Sequence, residues 1–465
     1  MAGRREGFHH PYVPNAAAEP RQRLMQAIGI SSIDELYAAI PDELRLKGAL
    51  DLPPPLPAEH DLRRHLEAIL AKNRHCGELL NFRGAGCWQH FVPAICDEIV
   101  NRGEFLTSYA GGTYSDHGRY QALFEYQSML GELVGMEVVS PPTYDAGAAA
   151  CSALAIACRL TGRSEILVPA LMNPERLSQI RGFLKPVAKL STAAQDAASG
   201  LIDLADLEAK LGNGVAAVFF ENPGFLGAIE TQAAEIAALA KKAGALLVVS
   251  VDPLSLGVLA APADYGADLV VGDLQPLGIR MYGGGGAAGF IASRDEERFV
   301  EQYPTMLISA SPSKGGGLGF AWSTQERTSY DKRHESNDYY GTTQWLWGIG
   351  AAVYLSLLGP EGIVELGEGI MQRARYAATC LATLDGVAVP PLGAAFFKEF
   401  MVDLRSTGKT VDAVNRSLLE AGIVGGYDLG RAWPSLDGRM LVCVTEVHGK
   451  ADIDHLVEAL GEAVR

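Results

Sequence analysis

The sequence predicts an α/β protein whose mainly parallel sheet is covered by helices on both faces. One observation is a set of short apolar runs of strand length: Glu165-Ile-Leu-Val-Pro169, Val215–Phe220, Ala245–Val251 and Leu269–Val271. They are apolar throughout instead of alternating, as strands buried on both sides must be. The other is what lies between them. In Thr231–Ala243, Ile236, Leu239, Ala240 and Ala243 follow helical spacing and Gly244 supplies the stop. Strands alternating with helices imply parallel pairing through crossovers.

Taken in order, Arg21–Leu36 and Asp42–Leu52 read as helix-and-turn material ending at Pro53-Pro54-Pro55. Ser32 with Glu35 three residues on fits a capping box opening a short helix. Helical periodicity returns at His60–Lys72. Residues 1–75 are therefore expected to form a helical arm, and residues 76–335 the large sheet domain. The rhythm breaks at Gly315-Gly316-Gly317, and residues 336–465 are expected to form a smaller lobe. That lobe opens on an apolar helix, Trp345–Leu358, and another at Glu361–Leu384. After them come a strand in Phe396–Leu404, a helix at Val411–Ala421, a strand at Met440–Thr445 and a helix at Ile453–Val464.

Composition excludes several classes of function. Charged residues make up only 20% of the chain and leave a net charge of −16, which argues against nucleic-acid or anionic-membrane partners, because phosphate binding needs clustered Lys and Arg. The 14-residue Trp345–Leu358 run is too short to span a bilayer, which takes roughly 18–20 apolar residues, so a buried helix is expected. Met1–Asn15 is polar and does not read as a signal peptide. The seven cysteines contain no C-x-x-C pair and several sit in apolar contexts, which suits a reducing cytoplasm. His60 and His65 are five apart, off one helical face, and no metal site is expected.

Particular words run through the chain: Tyr12-Val-Pro14, Ile30-Ser-Ser-Ile-Asp-Glu-Leu36, Leu46-Lys-Gly48, Phe124-Glu-Tyr-Gln127 with Gly135-Met136, Asp252-Pro-Leu-Ser-Leu-Gly257 and Tyr265-Gly-Ala-Asp-Leu-Val-Val-Gly272. Gly425-Gly-Tyr-Asp-Leu-Gly-Arg431 and Met440-Leu-Val-Cys-Val-Thr-Glu446 complete the series. In these words and their order the chain resembles subunit 1 of the two-subunit glycine decarboxylase, the P-protein of the glycine cleavage system. The resemblance implies the aspartate-aminotransferase-like fold, type I of the pyridoxal-phosphate (PLP) enzymes. It further implies a partner, subunit 2, that carries PLP on a lysine. Together the two would decarboxylate glycine and pass the aminomethyl group to the lipoyl arm of the H-protein. A homodimer is open for the isolated chain.

PLP chemistry needs a lysine to bind the cofactor and an acid to keep the ring nitrogen protonated. Asp252 ends an apolar run and is placed for the acid, with a plain strand-end Asp-Pro turn as the alternative. By the resemblance, the lysine belongs shortly downstream, before the Gly283–Gly286 run. The sequence there is Asp273-Leu-Gln-Pro-Leu-Gly278, and no lysine occurs between Lys242 and Lys314. Gln275 or Pro276 takes the place, so covalent anchoring of PLP and a catalytic lysine are not expected in this chain. Gly283 and Gly284 are candidates for cradling a phosphate, with a plain turn as the alternative. Tyr144 and Asp145 precede a small-residue helix whose N-terminus would face the phosphate in such a fold, with capping by Asp145 as the alternative. Asn222-Pro223-Gly224 sits where a cofactor-edge loop or an ordinary turn would.

Three segments depart from the family's usual words. Ala110-Gly-Gly-Thr-Tyr-Ser-Asp-His117 replaces Thr-Pro-Tyr-Gln-Pro-Glu, Tyr144-Asp-Ala146 replaces Tyr-Asp-Gly, and Ser336-Asn-Asp-Tyr-Tyr-Gly-Thr342 replaces Ser-Asn-Ile-Cys-Thr. Tyr109, Tyr114, His117, Ser336 and Asn337 are accordingly candidates for residues that face the partner. Two other readings stay open: a specialised paralog serving PLP chemistry on a different amino acid, and a non-catalytic scaffold.

Overall fold

The computed structural model describes residues 12–13, 17–48, 50–106, 119–196, 199–284, 287–323, 327–337, 340, 344–389 and 395–465. The chain divides into two compact units, residues 1–73 and 74–465. The first holds helices Ala18–Ile28 and Glu59–Leu70 and a 3₁₀ turn, Ile33–Tyr37, none with a buried residue. Glu35 Oε1 accepts from the Ser32 N–H at 3.0 Å, closing the turn's start as the Ser–Glu spacing predicts.

The second unit is built on seven strands: β1 (Val138–Val139), β2 (Glu165–Pro169), β3 (Lys189–Ala193), β4 (Val215–Asn222), β5 (Leu246–Val251), β6 (Leu269–Asp273) and β7 (Gly289–Ser293). Their order across the sheet is β1-β7-β6-β5-β4-β2-β3. Strands β2 to β6 pair in parallel, while β7 and β1 are antiparallel. All eight residues of β4 are buried. Successive residues feed opposite faces, as the strand's two-residue period requires. Val218, Phe220, Leu247 and Val249 enter one core, and Ala217, Phe219 and Val248 the other.

The helix Ala146–Thr161 packs on β4–β7, and its run of Ala, Gly, Ser and Cys keeps it close to the sheet. Gln344–Leu381 is long and apolar enough by length and composition to cross a membrane. It packs instead as a core helix against Tyr120–Val134, Ala94–Val100 and Pro253–Gly257. The backbone breaks at Gly359 (φ 60°, ψ −177°), just before Pro360, so two helices meet there, as the sequence predicts. The first half fills the large core through Ala351, Tyr354 and Leu355; the second lines a separate core through Ala374, Ala377 and Leu381.

That separate core belongs to the small lobe. β8 (Glu399–Asp403), β9 (Tyr427–Asp428) and β10 (Arg439–Cys443) form an antiparallel sheet in the order β8-β10-β9. Helices Val411–Glu420 and Lys450–Ala463 cover it. Residues 80–93 run beside this lobe: Leu80–Asn81 pairs in parallel with Ile423–Val424, and the Cys443 N–H donates to the Phe82 carbonyl at 2.9 Å.

Candidate functional site

The carboxyl ends of β4, β5 and β6 converge on a cleft closed from the other side by residues 84–90 and β8. Crevices of this kind are where open α/β sheets bind ligands. Its lining carries Arg176, Glu221, Ser250, Asp252, Asp273, Trp88, Lys398 and Glu399, with the turn Pro223–Gly227 at the rim. Two glycines let the walls approach. A Cβ on Gly227 would stand 1.9 Å from the Glu399 carbonyl oxygen, and one on Gly84 would stand 2.1 Å from Glu399 Oε1.

Asp252 lies one residue beyond β5. Its Oδ1 accepts from the Leu254 N–H at 3.1 Å, capping the turn Pro253–Gly257. Its Oδ2 lies 2.6 Å from Lys398 Nζ, with both side chains buried. The angles fall outside hydrogen-bond geometry, so this contact is an ion pair. Lys398 stands over the Trp88 ring, 3.6 Å from its centroid, and lies 3.1 Å from His90 Nε2. An ammonium only donates, so His90 Nε2 accepts and the ring proton sits on Nδ1, 2.9 Å from Glu446 Oε2. Burial pushes the Glu446 carboxyl up. The hydrogen bonds from the His90 Nδ1–H and the Phe91 N–H outweigh burial and hold it below the ordinary carboxylate range.

Gln275 is buried behind Trp88. Its Oε1 accepts from the Trp88 N–H at 3.1 Å, and its Nε2 donates to the carbonyls of Trp88 (2.9 Å) and Ile279 (3.0 Å). Every capacity of that amide but one lone pair is satisfied. Pro276, the other residue considered for the lysine's place, is buried beside it. The Arg176 guanidinium bridges Glu221 and Ser250 Oγ. Asp273 keeps some surface at the cleft but is packed deep among protein atoms, and burial pushes its carboxyl up to about 6. Burial pushes Glu399 to about 7, against the opposing pull of the Ala85 N–H and Lys398.

The structure brings Asp252 and the Pro223-Gly224 part of the Asn222-Pro223-Gly224 turn into the cleft's lining, and Gln275 behind it onto the Trp88 backbone. The other expected positions are not in its lining. Asp145 caps the helix Ala146–Thr161, its Oδ1 accepting from the Ala148 N–H at 2.6 Å. Its Oδ2 accepts from Gln179 Nε2 at 3.2 Å, and a Cβ on Gly147 would strike Gln179 Oε1. Tyr144 is exposed and meets Tyr340 edge-on at 4.9 Å. Gly283 takes a left-handed turn (φ 66°) next to Gly284, in Tyr282–Gly284. Asn337 holds its N–H on Ser329 Oγ at 2.7 Å, beside half-buried Ser336. Tyr109, Tyr114 and His117 lie outside the described residues. Among the described residues, no group of three or more His, Cys, Asp and Glu is placed to hold a metal ion. Sequence reasoning missed Lys398, Glu399, His90, Trp88 and Arg176. One signal was present: Lys398-Glu399 interrupts the otherwise apolar run Phe396–Val402.

The cleft does not fit PLP. Asp252, expected from the sequence to hold the ring nitrogen, has an ammonium on it, and Gln275, expected in the lysine's place, is bound to the Trp88 backbone. The cavity in the cleft is ≈ 50 Å³, against roughly 300–1,000 Å³ for cofactor-sized pockets.

The family described as "Glycine cleavage system P-protein" matches residues 10–460. The chain is 37% identical over 454 residues to a protein of Geobacillus kaustophilus named "Probable glycine dehydrogenase (decarboxylating) subunit 1". That match spans 97% of this chain and 99% of the relative. A protein of the same name from Staphylothermus marinus is 36% identical over 98% of both chains. Among solved structures, glycine decarboxylase (P-protein) of the glycine cleavage system, in inhibitor-bound form, superposes with a TM-score of 0.85 at 34% identity, covering 98% of this chain and 100% of that one. Sphingosine-1-phosphate lyase of Burkholderia pseudomallei shares the fold at 14% identity, with a TM-score of 0.64 over 90% of this chain and 93% of its own. The fold is thus the aspartate-aminotransferase-like, type I fold of PLP enzymes.

Proposed function

The chain belongs to the glycine cleavage system P-protein family, and from that membership we propose that it is subunit 1 of a two-subunit glycine decarboxylase. The observation that carries the reading is the end-to-end match to relatives named subunit 1. A name of that form entails a second subunit, which on this reading is the PLP-bearing partner. PLP supplies the electron sink for losing the carboxyl group. The pair decarboxylates glycine and hands the aminomethyl group to the lipoyl H-protein. In this chain Gln275 and Asp252 are committed to Trp88 and Lys398, which supports placing the cofactor lysine in the partner. The chain acts in the cytoplasm, through an arm (1–75), a large domain (76–335) and a small lobe (336–465). Tyr109, Tyr114, His117, Ser336 and Asn337 are proposed to face the partner, with Tyr144, Asp145, Gly283 and Gly284 as remnants of a phosphate site.

Co-expression with the neighbouring subunit 2, followed by a glycine–bicarbonate exchange assay, tests this. Exchange by the pair and not by this chain alone is expected; no complex and no exchange would refute it. The rewritten Tyr144-Asp-Ala146 and Ser336–Thr342 segments favour one second reading, a paralog whose partner acts on another amino acid. Genes for the H- and T-proteins beside this one support glycine; genes of a different pathway support the paralog.

A further inference from the structure

We propose that the chain carries its own occupant of the cofactor cleft: Lys398 supplies the cation that Asp252 would otherwise take from a cofactor ring, and the chain Asp252–Lys398–His90–Glu446 fastens the small lobe to the large one. The inference rests on the fold alone and stands whichever amino acid the complete enzyme uses.

Asp252 is fixed by its place at the end of β5 and is buried, and a buried carboxylate without a cation is strongly unfavourable. A protonated ring nitrogen brought to Asp252 Oδ2 would set a second cation beside the Lys398 ammonium, and like charges so close repel. Lys398 takes that oxygen at 2.6 Å, held there by the face of Trp88 and by His90 Nε2. Two positions outside the cleft's lining, where the sequence places a cofactor's lysine and phosphate, are taken by side chains as well. Gln275 uses its amide on the Trp88 backbone, and at the N-terminus of the helix Ala146–Thr161 Gln179 folds over Gly147 and bonds Asp145.

The occupant is also a fastening. Asp252 belongs to the large sheet, Lys398 precedes β8, and Glu446 follows β10 in the small lobe. The segment carrying Trp88 and His90 runs between them and is bound on both sides. Gln275 holds it to the large domain, while Thr445 Oγ1 donates to the Gln89 carbonyl at 2.7 Å from the small lobe. Side chains fill the cleft where the two lobes meet, and the lobes are closed on them.

The test is a charge-removal cycle in the full-length chain: Lys398→Met, Asp252→Asn and the pair, with melting temperature as the readout. Each single change strands a buried charge or a buried donor, so each is expected to melt several degrees lower. The double variant is expected to melt higher than Lys398→Met. Should both singles fail to fold, recovery of a soluble, cooperatively melting double variant supports the proposal equally. Additive losses, or a double variant that is worse than either single or does not fold, overturn the proposal. A second measurement asks the cofactor question directly. Gln275→Lys, incubated with PLP, reduced with borohydride and dialysed, is expected to retain no more PLP than the unaltered chain. One equivalent fixed at position 275 would show the cleft open and the proposal wrong.

Discussion

Asp273 and Glu399 are acids that the cleft holds without a cation of their own, since Arg176 is engaged by Glu221 and Lys398 by Asp252. Glu399 moves from 4.5 to about 7 and Asp273 from 3.8 to about 6, both through burial. A native carboxyl raised above its unfolded value binds the proton more tightly than the unfolded chain does. Stability is therefore lost as pH rises from the unfolded value through the folded one. Glu446 runs the other way: its carboxyl is held below the unfolded value of 4.5, so its contribution is complete above 4.5 and is lost as pH falls below it. Glu399→Gln is accordingly expected to flatten the decline between about pH 4.5 and 7, leaving the Asp273 part below about 6. Denaturant titrations at stepped pH check it, and identical pH slopes in variant and parent would count against the assignment. At this scale the sequence was half legible. Asp252 and Gln275 stand at strand ends, where the period of the fold marks them. Lys398, His90 and Glu446 are joined over separations of 308 and 356 residues, and contacts so distant leave no local pattern.

At the scale of elements, the turn after β4 docks on β8 through Phe225 and Leu226 against Met401, and through a close backbone approach at Gly227. Gly227 has φ 92°, and its N–H donates the turn's closing bond to the Gly224 carbonyl at 2.8 Å. With a Cβ 1.9 Å from the Glu399 carbonyl, the two elements must separate. Gly227→Ala is therefore expected to lose about 2–5 kcal/mol, combining overpacking with a left-handed alanine. A denaturant midpoint unchanged within error would show that the turn moves freely. Strands buried on both faces could be read from sequence: β2, β4, β5 and β6 are near-continuous apolar runs. β3, Lys189–Ala193, could not, because an edge strand with one wet side is half polar. The last two residues of β4 and the last two of β6 are an acid, an amide, a glycine and a second acid, so the apolar run stops before the strand does. Acids from both strand ends reach the cleft.

For the whole molecule, a fold that houses a cofactor has kept its sheet, its crevice and its acid, and has turned the crevice into a junction between lobes. That is consistent with a subunit whose contribution is shape and contact, while the reacting group stands on its partner. The most direct measurement is intact-mass analysis of the active complex, purified with its partner subunit and reduced with borohydride. The added mass of one PLP is expected on the partner and none on this chain. PLP fixed to this chain, or an active complex carrying PLP on neither subunit, would contradict the assignment of the cofactor to the partner.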